Sequence, residues 1–256
     1  MIQKEFSNSK KLSEYVGNLW LELQNKITKK KNFLFTAPAS STPLDLYEWI
    51  LSNTEKFENW DKAKFVMSDE QLKDEMATRY VSEEDETSYL KFLKEKFFNK
   101  LEEKTDFRID DEYIYPLLDR LNEFDKKISA AGNIDLAIIA VGVRGHYAHV
   151  MPGTEENIGY HKTRLMNEFR QVHTNIQSQS YPGVEFRELG MSFGPKQLRA
   201  AKKIVVMISG ERKRTVLGQL LKLDKFQPNF PISIIYHPEV KKKVELLYTK
   251  DAKLEK

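Results

Sequence analysis

The stretch "IDLAIIAVG", residues 134–142, is a continuous apolar run. A run of that kind, rich in Ile, Ala and Val, predicts a strand covered on both faces, as strands of a parallel sheet are. The residues that follow, "VRGHYAHVMPGT" (143–154), turn polar at once. A glycine-bracketed turn carries a histidine and ends on Pro-Gly. Strand followed by such a loop recurs outward in both directions. "NFLFTA" (32–37), "AKFVMS" (63–68) and "KKIVVMISG" (202–210) read as further buried strands, and "FPISIIYH" (230–237) as the last one. Between them lie segments at helical spacing: "STPLDLYEWILSNT" (41–54), "TSYLKFLKEKFFNKL" (87–101), a helix from about Leu117 closed by Gly132, and "ERKRTVLGQLLKL" (211–223). Strands alternating with helices predict right-handed βαβ units, hence an α/β fold. No linker or repeat divides the chain, so residues 1–256 are read as one domain with a mostly parallel sheet and helices on both faces.

Composition narrows the function. The 256 residues carry 41 Lys and Arg against 38 Asp and Glu, a formal charge of +3. That balance does not favour nucleic acid, which calls for a concentrated basic excess. The basic runs "KITKKK" (26–31) and "VKKKVELLYTKDAKLEK" (240–256) are read as solvated helix faces. Without cysteine there is no disulfide, thiolate nucleophile or Cys-based metal site. Neither a signal pattern nor an apolar run of membrane-spanning length is read, so the expected location is the cytoplasm, with no membrane partner.

In a parallel sheet, ligands bind beyond the carboxyl ends of the strands. Four strand-end loops are therefore the candidates. "PASSTP" (38–43) offers the hydroxyls of Ser40, Ser41 and Thr42 beside a helix start, with Pro43 suited to the first helical position. These residues fit an anion site, a phosphate above all, and equally a plain Ser/Thr helix cap. "MSDEQ" (67–71) places Asp69 and Glu70 where one of two alternating carboxylates can face the sheet's mouth as a general base. In "GVRGHYAHV" (142–150), His146 can exchange protons near neutral pH. His149 stands three residues on, but no third ligand of suitable spacing follows, so no metal is expected. "SGERK" (209–213) brings Lys213, with Arg212 and Arg214 beside it, as a cation for a phosphate. His161 and His173 lie in polar stretches and are expected to be exposed; His237 is read as structural.

In order, these loops resemble the family of glucosamine-6-phosphate deaminases (isomerases) and 6-phosphogluconolactonases. The motifs are "S-T-P-x-x-x-Y" (Ser41 to Tyr47), the acid pair Asp69–Glu70, "T-S-Y" before a Phe-Phe helix (Thr87 to Phe98), "I-D-L-x-x-x-x-V-G-x-x-G-H-x-A" (Ile134 to Ala148), "G-x-x-K" (Gly210 to Lys213) and "P-x-S-x-x-x-x-H-P" (Pro231 to Pro238). The resemblance covers about Phe33 to Pro238. It implies a modified Rossmann-type sheet around a sugar-phosphate pocket, with no cofactor. By the same resemblance Ser41 and Thr42 match the phosphate loop and Lys213 the phosphate-binding lysine. Asp69 matches the carboxylate that moves a proton at sugar C2, or Ser68 does in an ungapped register. His146 matches the histidine of ring opening in the deaminases and of acid–base work in the lactonases.

The chain departs from that pattern at four places. Arg144 replaces the Asp of "G-x-D-G-H-x-A". Met151 stands where the deaminases carry a Glu and the lactonases an apolar residue. Ser40 stands where the phosphate loop has a Gly, and Arg187 lies only near the arginine that precedes "G-M-S-F-G" (190–194) in deaminases. A guanidinium beside an imidazole disfavours its protonated form, where a carboxylate would stabilise it. Arg144 facing the pocket would weaken His146 as a base or bind an extra anionic group; facing outward, it leaves the site one acid short. Two functions follow as expectations: a sugar-phosphate isomerase/deaminase or lactone hydrolase with a remodelled loop, or a non-catalytic sugar-phosphate binder. The ligand is a small-molecule sugar phosphate, contacted in part by Arg144 and Glu70, and a homo-oligomer stays open.

Overall fold

The computed structural model describes residues 1–27, 31–167 and 187–253. Six strands form one sheet: β1 (Ile2–Phe6), β2 (Phe33–Thr36), β3 (Ala63–Phe65), β5 (Leu136–Ala140), β8 (Lys203–Ile208) and β9 (Val244–Thr249). Their order is β1-β9-β8-β5-β2-β3, and every neighbouring pair is parallel. Three more strands, β4 (Asp69–Gln71), β6 (His161–Arg164) and β7 (Leu189–Ser192), make a small antiparallel sheet in the order β4-β7-β6.

The apolar runs account for the main sheet directly. β2 and β9 are buried at every position, and β5 and β8 at all but one. Helix Ser9–Asn25 covers one face through Leu12, Val16 and Trp20, spaced one helical turn apart, and starts where the Asn8 side chain accepts from the Lys11 amide. Between helices Tyr89–Leu93 and Asn99–Lys104 lies a π-helical turn, Lys94–Phe98. That extra residue per turn lets the adjacent Phe97 and Phe98 both face the core. Phe97 stacks on Tyr47 with centroids 4.6 Å apart, and Phe98 meets Phe65 at 4.7 Å.

Two readings of the sequence are overturned. "FPISIIYH" is not a strand: Pro231–Tyr236 is a 3-10 helix, buried at all six positions. Pro231 supplies no amide for a ladder, and the Ser233 and His237 amides close short turns onto the Phe230 and Ile234 carbonyls. The last strand is "VELLYT", inside a run read as a solvated basic face. Its one charge, Glu245, is buried and accepts from the Lys203 ammonium (2.6 Å) and the Tyr15 hydroxyl (2.8 Å). Along the chain, β2 leads outward to β3, whereas β5 leads to β8 and β9 on the other side. The sheet's direction of growth therefore reverses between β2 and β5, and a crevice opens at their carboxyl ends.

Candidate active site

At that crevice lies a cleft of about 960 Å³. All four strand-end loops line it: Ser40, Ser41 and Thr42 after β2, Ser68 and Asp69 after β3, Gly142 and His146 after β5, and Gly210 to Lys213 after β8. The volume and the mixture of apolar walls with convergent polar groups suit a ligand of sugar-phosphate size.

The Ser40–Thr42 loop is held from below, where the Tyr47 hydroxyl donates to the Pro38 carbonyl at 2.8 Å. It ends at helix Leu44–Leu51, with Pro43 just outside the first turn rather than in it. Ser40 Oγ is enclosed and has no hydrogen-bond partner among the described residues. Opposite, the Lys213 ammonium donates to the Val141 carbonyl. Burial, with Arg212 adding repulsion, lowers its pKa to about 8.

Asp69 is the first residue of β4. Its Oδ1 accepts from the Ser68 hydroxyl at 2.5 Å, and burial, only partly offset by that bond, raises its pKa to about 7. Ser68 and Asp69 both line the cleft and are joined by that bond. His146 is 4% exposed and packs against Gly142, where a Cβ would lie 2.0 Å from the ring. Gly145, at φ +81°, makes the turn, and the Phe230 ring occupies the space its side chain would need.

Other placements differ from expectation. Glu70, read as a possible substrate contact, lies outside the cleft lining: it is fully buried and accepts from the amides of Gln71, Tyr89 and Leu90 and the hydroxyls of Ser88 and Tyr115. It anchors the start of helix Tyr89–Leu93. Arg144 is exposed and outside the cleft lining, whereas Val143 before it and His146 after it line the cleft. Met151 is buried against Leu165 and supplies no polar group. Arg187 pairs with Asp85 at 2.8 Å. His161 is half-buried rather than exposed, with Nδ1 3.0 Å from the Gly159 carbonyl; His173 lies outside the described residues. His237 caps helix Pro238–Lys241 by accepting from the Glu239 amide.

The cleft also draws on a segment that the sequence marks only as helical. Tyr89, Phe92 and Lys96, all from the π-interrupted helical segment, line the cleft. Behind Asp69, His149 is 2% exposed, with Nε2 2.9 Å from the Tyr89 hydroxyl and 3.7 Å from Asp69 Oδ2. Among the described residues no group of three His, Asp or Glu side chains is placed to hold a metal, and no helix is long and apolar enough to cross a membrane.

A parallel α/β sheet with an acid, a histidine, a lysine and a hydroxyl loop at its topological switch point defines a class of small-molecule sites. The comparisons with known proteins sharpen it: residues 7–244 match the glucosamine-6-phosphate isomerases/6-phosphogluconolactonase family, and the chain belongs to that family. Glucosamine-6-phosphate deaminase of Clostridium novyi (strain NT) is 25% identical over 249 residues, 96% of either chain. The deaminase of Clostridium beijerinckii (strain ATCC 51743 / NCIMB 8052) is 27% identical over 213 residues, covering 82% of this chain and 83% of its own. Among solved structures, a monomeric glucosamine-6-phosphate deaminase superposes with a TM-score of 0.79 at 19% identity, covering 98% of both chains. 6-Phosphogluconolactonase from Leishmania guyanensis does so at 0.70 and 16% identity, over 98% of this chain and 97% of its own. The last two likenesses support the fold.

Proposed function

We propose that the protein is an enzyme that opens a hexosamine 6-phosphate and isomerises it from aldose to ketose with loss of the amine. The observation that carries this is the convergence of Ser40–Thr42, Asp69, His146 and Lys213 on one cleft. The hydroxyl loop and Lys213 hold the phosphate; its charge favours the protonated lysine that burial disfavours. His146 moves a proton between the anomeric hydroxyl and the ring oxygen, which frees the aldehyde. Asp69 takes the C2 proton; the C2–H electron pair moves into a C1–C2 double bond as the carbonyl oxygen is protonated. Returning the proton to C1 leaves C2 at the iminium level, where water adds and ammonia departs. A base with a pKa of about 7 is matched to that step at neutral pH.

Met151 favours a second reading. The family's deaminases carry a carboxylate there and its lactonases an apolar residue, and this Met is buried against Leu165. Hydrolysis of a sugar-phosphate lactone needs only His146 as base for water and the same phosphate cradle. Steady-state assay with glucosamine 6-phosphate, galactosamine 6-phosphate and 6-phosphogluconolactone separates the two. Ammonia release that is lost in Asp69→Asn and His146→Ala supports the first. Lactone turnover that needs His146 but not Asp69 supports the second. Thermal stabilisation by these ligands without turnover leaves a binding protein.

A further inference from the structure

We propose that His149, held in place by Tyr89 and Gln71, is a positioning residue that shares a proton with Asp69. The inference rests on the reading of Asp69 as the proton-transferring carboxylate and adds a partner to it. Three groups converge on His149 Nε2: the Tyr89 hydroxyl at 2.9 Å, the Gln71 amide nitrogen at 3.4 Å and Asp69 Oδ2 at 3.7 Å.

Their hydrogen-bonding directions are set from outside. Gln71 Oε1 accepts from the Arg187 amide at 3.0 Å, so its NH2 faces inward and donates to the Tyr89 oxygen, also at 3.0 Å. The Tyr89 hydrogen is then directed at Nε2 whenever the imidazole is neutral. Once protonated at Nε2, His149 donates toward Asp69 instead, and the Tyr89 oxygen can accept. The other Asp69 oxygen is already taken by the Ser68 hydroxyl, which leaves Oδ2 facing the ring. Ring position is equally constrained: the His149 amide donates to Ser192 Oγ at 3.1 Å, and Gly190 on β7 lies so close that a Cβ there would sit 2.2 Å from Nδ1.

Among the described residues, the titratable groups in contact with the imidazole are Asp69 from β4 and Tyr89 from its helix, with Glu70 beside them. Glu70 is turned away and occupied by its five donors. Tyr89 is held protonated by burial and by the two carboxylates. Asp69 Oδ2 and His149 Nε2, 3.7 Å apart, are the pair placed to exchange a proton. With the proton on His149, Asp69 is an ionised base beside a cation; with it on Asp69, the pair is neutral. Such a pair titrates in coupled steps, and losing the imidazole removes the cation that favours the carboxylate.

His149→Phe should move the acid limb of the kcat/KM profile up by about one pH unit, lowering kcat/KM at pH 6.5 about tenfold, with KM little changed. His149→Gln keeps a donor without a charge and should recover part of the shift. Gly190→Ala, which displaces the ring without touching the cleft, should reproduce the shift. Carbon NMR of the Asp69 carboxyl gives a readout that needs no turnover: its titration midpoint should rise in His149→Phe. An unmoved midpoint and acid limb, whatever happens to Tm, would overturn the inference and leave the proposed reaction standing. A wild-type protein inactive on every sugar phosphate would defeat that reaction, while the carboxyl titration still decides the Asp69–His149 coupling.

Discussion

The Lys213 ammonium donates to the carbonyl of Val141, so the last residue of the β8 loop is tied to the end of β5, four residues before Gly145. The two loops that would hold a phosphate and move its protons are thus joined in the free protein. A buried ammonium with a pKa near 8 is pulled upward by a bound anion, so binding takes up a proton between those two values. Affinity for sulfate, an anion that does not itself titrate in this range, should be flat below pH 8 and fall toward tenfold per pH unit above it, read by calorimetry. Lys213→Met should remove that pH dependence and weaken binding 10- to 100-fold, about 1.4–2.7 kcal/mol.

The same two groups shape the rate profile. Asp69 works as a base only when ionised, so kcat/KM rises through pH 7; free Lys213 loses its charge near pH 8, so kcat/KM falls above that. A narrow bell in kcat/KM is expected, with Lys213→Met flattening the alkaline side and leaving the acid side in place.

Asp69 also carries a stability cost whose sign can be worked out. Its folded pKa lies above the ordinary 3.8, so the native state holds more protons than the unfolded chain between pH 4 and 7, and stability falls as pH rises through that window. Asp69→Asn removes the effect. Its gain in folding free energy should be larger at pH 8 than at pH 5 by about 2–3 kcal/mol, read from denaturant unfolding at both values.

Glu70 should behave as scaffold. Glu70→Ala leaves three buried amides and two hydroxyls without their acceptor. A loss of about 3 kcal/mol, or about 6–12 °C in Tm, is expected. KM of the protein that remains folded should stay within about twofold, which a substrate contact would not allow.

What the sequence made legible follows from where chemistry concentrates. Buried strands announce themselves as apolar runs, and β2, β3, β5 and β8 were all read in that way. Periodicity cannot separate a short buried strand from a buried helical turn, which is why Pro231–Tyr236 reads as a strand in the sequence and folds as a 3-10 helix. β9 was hidden by the lysines at 241–243, which lie before the strand and not in it. Ser40–Thr42, Asp69, His146 and Lys213 stand out because each lies four to six residues past the end of a strand of the main sheet. His149 reads from the sequence only as a metal-ligand candidate, since its relation to Asp69 and Tyr89 spans 80 and 60 residues of the chain. The alternation of side chains across the Asp69–Glu70 pair was visible; which carboxylate faced inward was not, because the partners that claim Glu70 come from residues 88–90 and 115.

Cleavage of the C2–deuterium bond of glucosamine 6-phosphate labelled with deuterium at C2 tests the central claim most directly. The account predicts that the wild-type protein breaks this bond, with deuterium appearing in solvent or at C1 of the ketose product, and that Asp69→Asn does so at least 100-fold more slowly. A wild-type protein that binds the labelled sugar yet leaves the C2–deuterium bond intact would contradict it.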